Sequence, residues 1–196
     1  MFERKLTKKI NVGGVELGAL SPVSVQSMCN TKTHDVEATV EQIKRLRAAG
    51  CDIVRLAIPD MAAAEAISEI KEKTDMPLVA DIHFDYRLAI AVAERGIDKI
   101  RINPGNIGSE ENVRKVAEAC RKRNIPIRIG VNGGSLEKPL LEKYGHPCPE
   151  AMLESAKRHI KLLNKYDFDD ICISMKSSSV PLTLSLIHIS EPTRPY

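Results

Sequence analysis

Short apolar runs alternate with amphipathic stretches of helical length along nearly the whole chain, and this alternation limits the possible folds more than any other feature. The apolar runs predict strands over residues 23–27, 53–57, 78–82, 99–102, 127–131 and 171–175. Between them, helical spacing predicts helices over 36–49, 62–73, 87–95, 111–123 and 150–165. Asp35 and Ser109 stand where N-caps belong, and Gly50 and Gly96 where a helix gives way to a left-handed residue. Strand and helix recur six times, the signature of a parallel sheet, and the strands are nearly continuous in apolar residues, as strands covered on both faces must be. A G-x-G-x-x-G fingerprint is missing, which favours a barrel over a dinucleotide-binding, doubly wound sheet. A short hairpin over about 10–17, turning at Gly13-Gly14, precedes the repeat.

A closed (β/α)8 barrel takes about 250 residues. The expected fold is therefore α/β, an incomplete TIM-type (β/α)8 barrel with about six βα units, occupying residues 1–183. The run from Leu184 to Arg194, LSLIHISEPTR, continues no pattern and has no expected helix. It is the translation of a DNA string resembling a sequencing-library transposase adapter. Residues 184–196 are accordingly expected to be adapter read-through, not native, and His188 is set aside with them.

Composition narrows the function. The 29 Lys and Arg against 26 Asp and Glu leave a net charge of only +3, without a basic run, which argues against nucleic acid. No stretch reaches the ~18 apolar residues of a membrane span. The opening MFERKLTKKI lacks the apolar core of a signal peptide, so a cytoplasmic location is expected. The five cysteines are an odd number with no C-x-x-C pair, indicating neither a zinc site nor a disulfide framework.

Barrel chemistry sits at the C-terminal ends of the strands, where residues two apart share a face. There the sequence places Arg55, the pair Asp81 and His83, Arg101 with Asn103, Arg128 with Asn132, and Ser174 with Lys176. Each alone has a structural explanation, such as a salt bridge or a turn. Their repetition over five strands does not, because buried cations need an anion between them. Guanidinium forks match phosphate oxygens and Lys adds a compact charge, so a small phosphate or diphosphate ester is the expected ligand. Backbone N–H groups of the Asn103-Pro104-Gly105-Asn106 and Gly133-Gly134-Ser135 loops could assist. Asp81 and His83 are the evident acid/base or orienting pair.

The segments VQSMCNTKTHDVEATVEQI, DIVRLAIPDMAAAEAI, LVADIHFDYRLA, KIRINPGNIG, PIRIGVNGGSLE and KYGHPCPEAMLESA, in that order, closely resemble the bacterial 4-hydroxy-3-methylbut-2-enyl diphosphate synthases of the methylerythritol phosphate route to isoprenoids. The resemblance covers Lys8 to Thr183, the N-terminal barrel portion of that family. It implies an iron–sulfur oxidoreductase that opens the ring of 2-C-methyl-D-erythritol 2,4-cyclodiphosphate reductively, with loss of water, to give (E)-4-hydroxy-3-methylbut-2-enyl diphosphate. It also implies electrons from flavodoxin or ferredoxin, a [4Fe–4S] cluster in a smaller C-terminal domain, and a head-to-tail homodimer. By position, Arg55, Arg101, Arg128 and Lys176 match the family's diphosphate contacts, while His83, Asn103 and Asn132 match polar residues of the same pocket, with Asp81 beside them. A proton-donor role for His83 follows as a hypothesis.

The cluster ligands, three cysteines and a glutamate in the family, are expected to lie in a domain this chain does not include. The chain as written is expected to aggregate or stay partly folded and to be inactive alone. Two alternatives are a phosphate-handling barrel enzyme of the pterin-binding kind and a non-catalytic diphosphate-binding fragment.

Overall fold

The computed structural model describes residues 6–103 and 106–190, apart from the side chains of 187–190. Pro104, Gly105 and the last six residues therefore lie outside the described residues, as does the side chain of His188. The chain opens with an antiparallel hairpin, β1 (Ile10–Val12) and β2 (Val15–Leu17). A six-stranded parallel sheet follows: β3 (Gln26–Met28), β4 (Ile53–Ala57), β5 (Leu78–Asp81), β6 (Lys99–Ile102), β7 (Ile127–Asn132) and β8 (Ile171–Lys176). The order in space is the order in sequence, β3-β4-β5-β6-β7-β8. A doubly wound sheet would reverse direction partway, so this is the curled half-barrel that the strand repeat predicts.

Helices α1 (Val36–Ala48), α2 (Met61–Lys73), α3 (Tyr86–Glu94), α4 (Glu110–Lys122) and α6 (Pro149–Asn164) connect the strands. Asp35 accepts a hydrogen bond from the Ala38 N–H, capping α1, and Asp60 and Asp85 cap α2 and α3 in the same way. Ser109 occupies the N-cap position of α4 without making the side-chain bond. Gly50 and Gly96 take the positive φ angles that end α1 and α3. Among the described residues, no helix is long and apolar enough to cross a membrane.

Strand alternation divides the sheet into two environments. Val54, Leu56, Leu78, Ala80, Ile100, Ile102, Ile127, Ile129 and Val131 face the helices and are buried in the main core. Ile53 and Val79 point the other way, into a second small core with Ile10 and Val12 of the hairpin. The hairpin thus packs over the N-terminal ends of the strands. A side chain at Gly13 would collide with Asp98 and Pro77, which shows how closely its turn approaches them.

Three elements depart from the sequence expectation. The first parallel strand is Gln26–Met28 rather than 23–27; Val23 and Val25 are exposed on the sheet edge, and only the Val25 backbone engages β4. A 3-10 turn at Gly133–Ser135 and a seven-residue helix, α5 (Lys138–Tyr144), fill a region read as loop, being too short to show a period. Finally, α7 (Val180–Ser190) carries regular structure past Thr183, where no helix was expected. Leu182 and Leu186, one helical turn apart, turn inward, and Leu186 is buried in the main core.

Candidate functional site

Adjacent residues in the strand register share a face, so the register lays out the inner surface in rows. One row runs Met28, Arg55, Val79, Lys99. The next runs Ala57, Asp81, Arg101, Arg128, Cys172. Above it Gly130 stands beside Ser174, and at the rim Asn132 stands beside Lys176.

Asp81 is the centre of the cluster. Its side chain is only 6% exposed, and its two oxygens meet Arg101 Nη1 at 3.0 Å and Arg55 Nε at 3.6 Å. His83 Nε2 lies 3.7 Å away, an electrostatic contact longer than a hydrogen bond, and its ring is largely exposed. Arg55 also directs Nε and Nη2 at the Met28 sulfur, at 3.2 and 3.1 Å, a weak acceptor that fixes the guanidinium without neutralising it. One carboxylate therefore serves two guanidinium groups. Arg128 has no carboxylate within 4 Å among the described residues; burial pushes its pKa down, and the positive charges of Arg55 and Arg101 push the same way.

The remaining expected residues surround this cluster. Asn132 uses Oδ1 to accept from the Gly134 N–H, which folds the loop after β7 into its 3-10 turn. Lys176 is exposed at the end of β8. Asn103 follows β6 and accepts the Asn106 N–H on its carbonyl; the rest of that loop, at Pro104 and Gly105, lies outside the described residues. The structure thus brings Asp81, His83, Arg55 and Arg101 into contact, sets Arg128 beside them, and puts Asn132 and Lys176 at the rim.

Two features escaped the sequence reading. Lys99 lies inside the trough, although its place two residues before Arg101 could have signalled it. Behind the site, Glu137 accepts from Ser155 Oγ at 2.9 Å and meets His159 Nε2 at 2.8 Å. That network ties the β7–α5 loop to α6.

A [4Fe–4S] cluster takes four protein ligands, chiefly cysteine thiolates. Cys29, Cys51 and Cys120 are buried free thiols, with burial pushing Cys29 up to about 11 and Cys120 up to about 12. No three metal-ligating side chains converge among the described residues. The described residues of this chain do not fit a cluster.

Fold and site together define an α/β-barrel protein with a cation-rich face at the C-terminal ends of its strands. Residues 7–192 match the GcpE TIM-barrel domain, and the chain belongs to that family. It is 60% identical over 188 residues to a Caldanaerobacter subterraneus protein named 4-hydroxy-3-methylbut-2-en-1-yl diphosphate synthase (flavodoxin), covering 96% of this chain and 53% of that one. A Clostridium perfringens protein of the same name is 57% identical over 195 residues, covering 100% and 56%. The chain spans about half the length of the curated relatives it matches. Among solved structures, the dihydropteroate synthases of Vibrio fischeri ES114 and Yersinia pestis align with TM-scores of 0.68 and 0.67, each at 12% identity. They cover 96% and 94% of this chain, and 76% and 71% of theirs. That likeness concerns the fold alone.

Proposed function

We propose that this chain is the substrate-holding barrel portion of a 4-hydroxy-3-methylbut-2-enyl diphosphate synthase acting in the cytoplasm. The observation that carries the reading is the charge balance of the inner face. Asp81 is shared by Arg55 and Arg101, and Arg128 and Lys176 have no carboxylate within 4 Å among the described residues. A diphosphate supplies the missing negative charge, and its oxygens suit guanidinium forks.

In this reading the cyclic diphosphate lies against Arg101, Arg128 and Arg55, with Lys176, Asn103 and Asn132 closing around it at the rim. Asp81 holds Arg55 and Arg101 in place. His83, beside Asp81 and open to the trough, supplies the proton with which a hydroxyl leaves as water. The two electrons come from flavodoxin or ferredoxin, and the [4Fe–4S] cluster and its ligands belong to the part of a longer, homodimeric protein outside this chain. This chain alone then binds anions without turnover, and residues 184–196 are not native sequence.

The test is conversion of 2-C-methyl-D-erythritol 2,4-cyclodiphosphate by the full-length protein with reduced flavodoxin, followed by phosphorus NMR. Turnover is expected, and Arg101→Met should lower kcat/KM by about a hundredfold or more, as loss of a charged transition-state contact does. A cluster-loaded protein that leaves the substrate unchanged, or an Arg101→Met variant as active as the wild type, would overturn the proposal.

A further inference from the structure

The strand that ends in Asn132 leads straight into two glycines, Gly133 and Gly134, which leave the backbone a wide choice of angles. Asn132 Oδ1 accepts the Gly134 N–H at 3.2 Å, a bond that requires the turn to follow one course. With its oxygen spent in that way, the Nδ2 amine is the end of Asn132 that suits an anionic oxygen. The turn packs tightly: a Cβ on Gly133 would stand 3.5 Å from Met152 Sδ and 3.7 Å from Ser177 Oγ, beside Lys176.

Glu137 stands at the exit of the turn, in the N-cap position of α5, yet its side chain does not cap that helix. It reaches to α6 instead, where Oε1 accepts from Ser155 Oγ at 2.9 Å and meets His159 Nε2 at 2.8 Å. Ser155 and His159 lie one helical turn apart, and both are buried. The far end of α5 has a clasp of its own, with Lys143 Nζ and Tyr144 Oη each donating to Glu154 at 2.7 Å. Leu140 between them is fully buried. Glu137 is therefore not what keeps α5 in place; it fixes the entrance, where the turn begins. All of these contacts fall within β7, its loop, α5 and α6.

We propose that Glu137, clasped by Ser155 and His159, is a positioning residue that acts through Asn132, a role that rests on the reading of Asn132 as a ligand contact. Glu137 itself needs no contact with the ligand. By fixing the exit of the glycine turn it keeps the Gly134 N–H on Asn132 Oδ1, and the amine keeps its direction at the rim.

The experiment is a double-mutant cycle in the full-length protein, with Glu137→Ala, Asn132→Ala and both together, read by turnover of the cyclic diphosphate with reduced flavodoxin. Each single variant should raise KM about tenfold, the scale of one charged hydrogen bond, with kcat within about twofold. The double variant should be no worse than Asn132→Ala, because both changes remove the same contact. Glu137→Gln keeps an acceptor oxygen and should recover most of the loss. A merely structural Glu137 would lower kcat through loss of folded enzyme at an unchanged KM, or give losses that multiply in the double variant; either result overturns the proposal. Should Glu137→Ala fail to fold, Ser155→Ala takes its place with a smaller rise in KM, and multiplying losses overturn the proposal in the same way. The cycle is repeated with binding of inorganic diphosphate, measured by calorimetry. Shared losses of binding without turnover by the wild type reject the synthase reading alone, and turnover with multiplying losses rejects the role of Glu137 alone.

Discussion

The guanidinium of Arg101 occupies the space that a side chain at position 130 would need. A Cβ on Gly130 would stand 2.9 Å from Arg101 Nη2 and 3.0 Å from Nε. Gly130 is not among the positive-φ residues, so space rather than backbone conformation requires the glycine. The bare backbone of β7 is what lets the β6 arginine reach Asp81 across the sheet.

Gly130→Ala tests this arrangement. The colliding atoms are the far end of a flexible side chain, so the fold should survive with its melting temperature little changed. The displaced guanidinium should weaken inorganic diphosphate binding by about tenfold, measured by calorimetry, because a charged hydrogen bond is lost. Unchanged affinity would show that Arg101 does not touch the anion.

Asp81→Asn removes the carboxylate that two guanidinium groups share. Breaking a buried ion pair from one side costs about 3–5 kcal/mol, because the partner charges stay behind. Urea unfolding should show that loss, and added diphosphate should recover part of it by standing in for the missing charge. A loss below about 1 kcal/mol, the scale of an exposed pair, would place the cluster in water rather than in a dry trough.

Much of this was legible in the sequence. The six-strand repeat, the hairpin, the Asp35 cap and the helix ends at Gly50 and Gly96 followed from period and from Asp and Gly positions, because local rules decide them. The first strand, however, lies a few residues later than its apolar run, and Asp60 and Asp85 cap helices whose caps the pattern did not mark. Arg55, Asp81, Arg101 and Arg128 were legible as a group because alternation assigns them to one face. What alternation could not supply was distance. It paired Asp81 with His83, whereas the shortest contact of Asp81 is to Arg101 on the neighbouring strand, a relation fixed by sheet register. Lys99 opens the strand expected over 99–102, and nothing in its local pattern shows that its side chain lies buried on the inner face of the curled sheet. His159 lies within an ordinary helical pattern, and its partner Glu137 is 22 positions away behind a helix too short to predict.

The Glu137–His159 pair makes a pH prediction. Burial would raise the Glu137 carboxyl, but hydrogen bonds from His159, the backbone and Ser155, together with the His159 charge, hold it down to about 2 against an ordinary 4.5. A depressed carboxyl stabilises the fold above its ordinary pKa, and that contribution is lost as pH falls from 4.5 toward 2. Glu137→Gln should therefore melt lower than the wild type at pH 7, and the difference should close across that acid window. A constant difference would mean that the pair does not titrate with folding.

Lys99→Met should stabilise the protein. An unpaired buried charge costs about 1–3 kcal/mol or more, and methionine fills similar volume without it. Because the Lys99 pKa is lowered in the fold, the wild type gains stability as pH rises toward the ordinary 10.5, so the advantage of the variant should shrink with pH. Thermal melts at pH 7 and pH 10 check both the sign and the trend.

The hairpin at Ile10–Leu17 gives the molecule a direction. With Ile10 and Val12 seated on Ile53 and Val79, the sheet is a cup with a greasy base rather than an open pipe. The apolar base under the charged rows leaves the C-terminal mouth as the end at which an anion would meet the stacked cations. Recognition can therefore be retuned by changes around the lip, while substitutions in the hairpin would alter how strongly every charge in the cup acts.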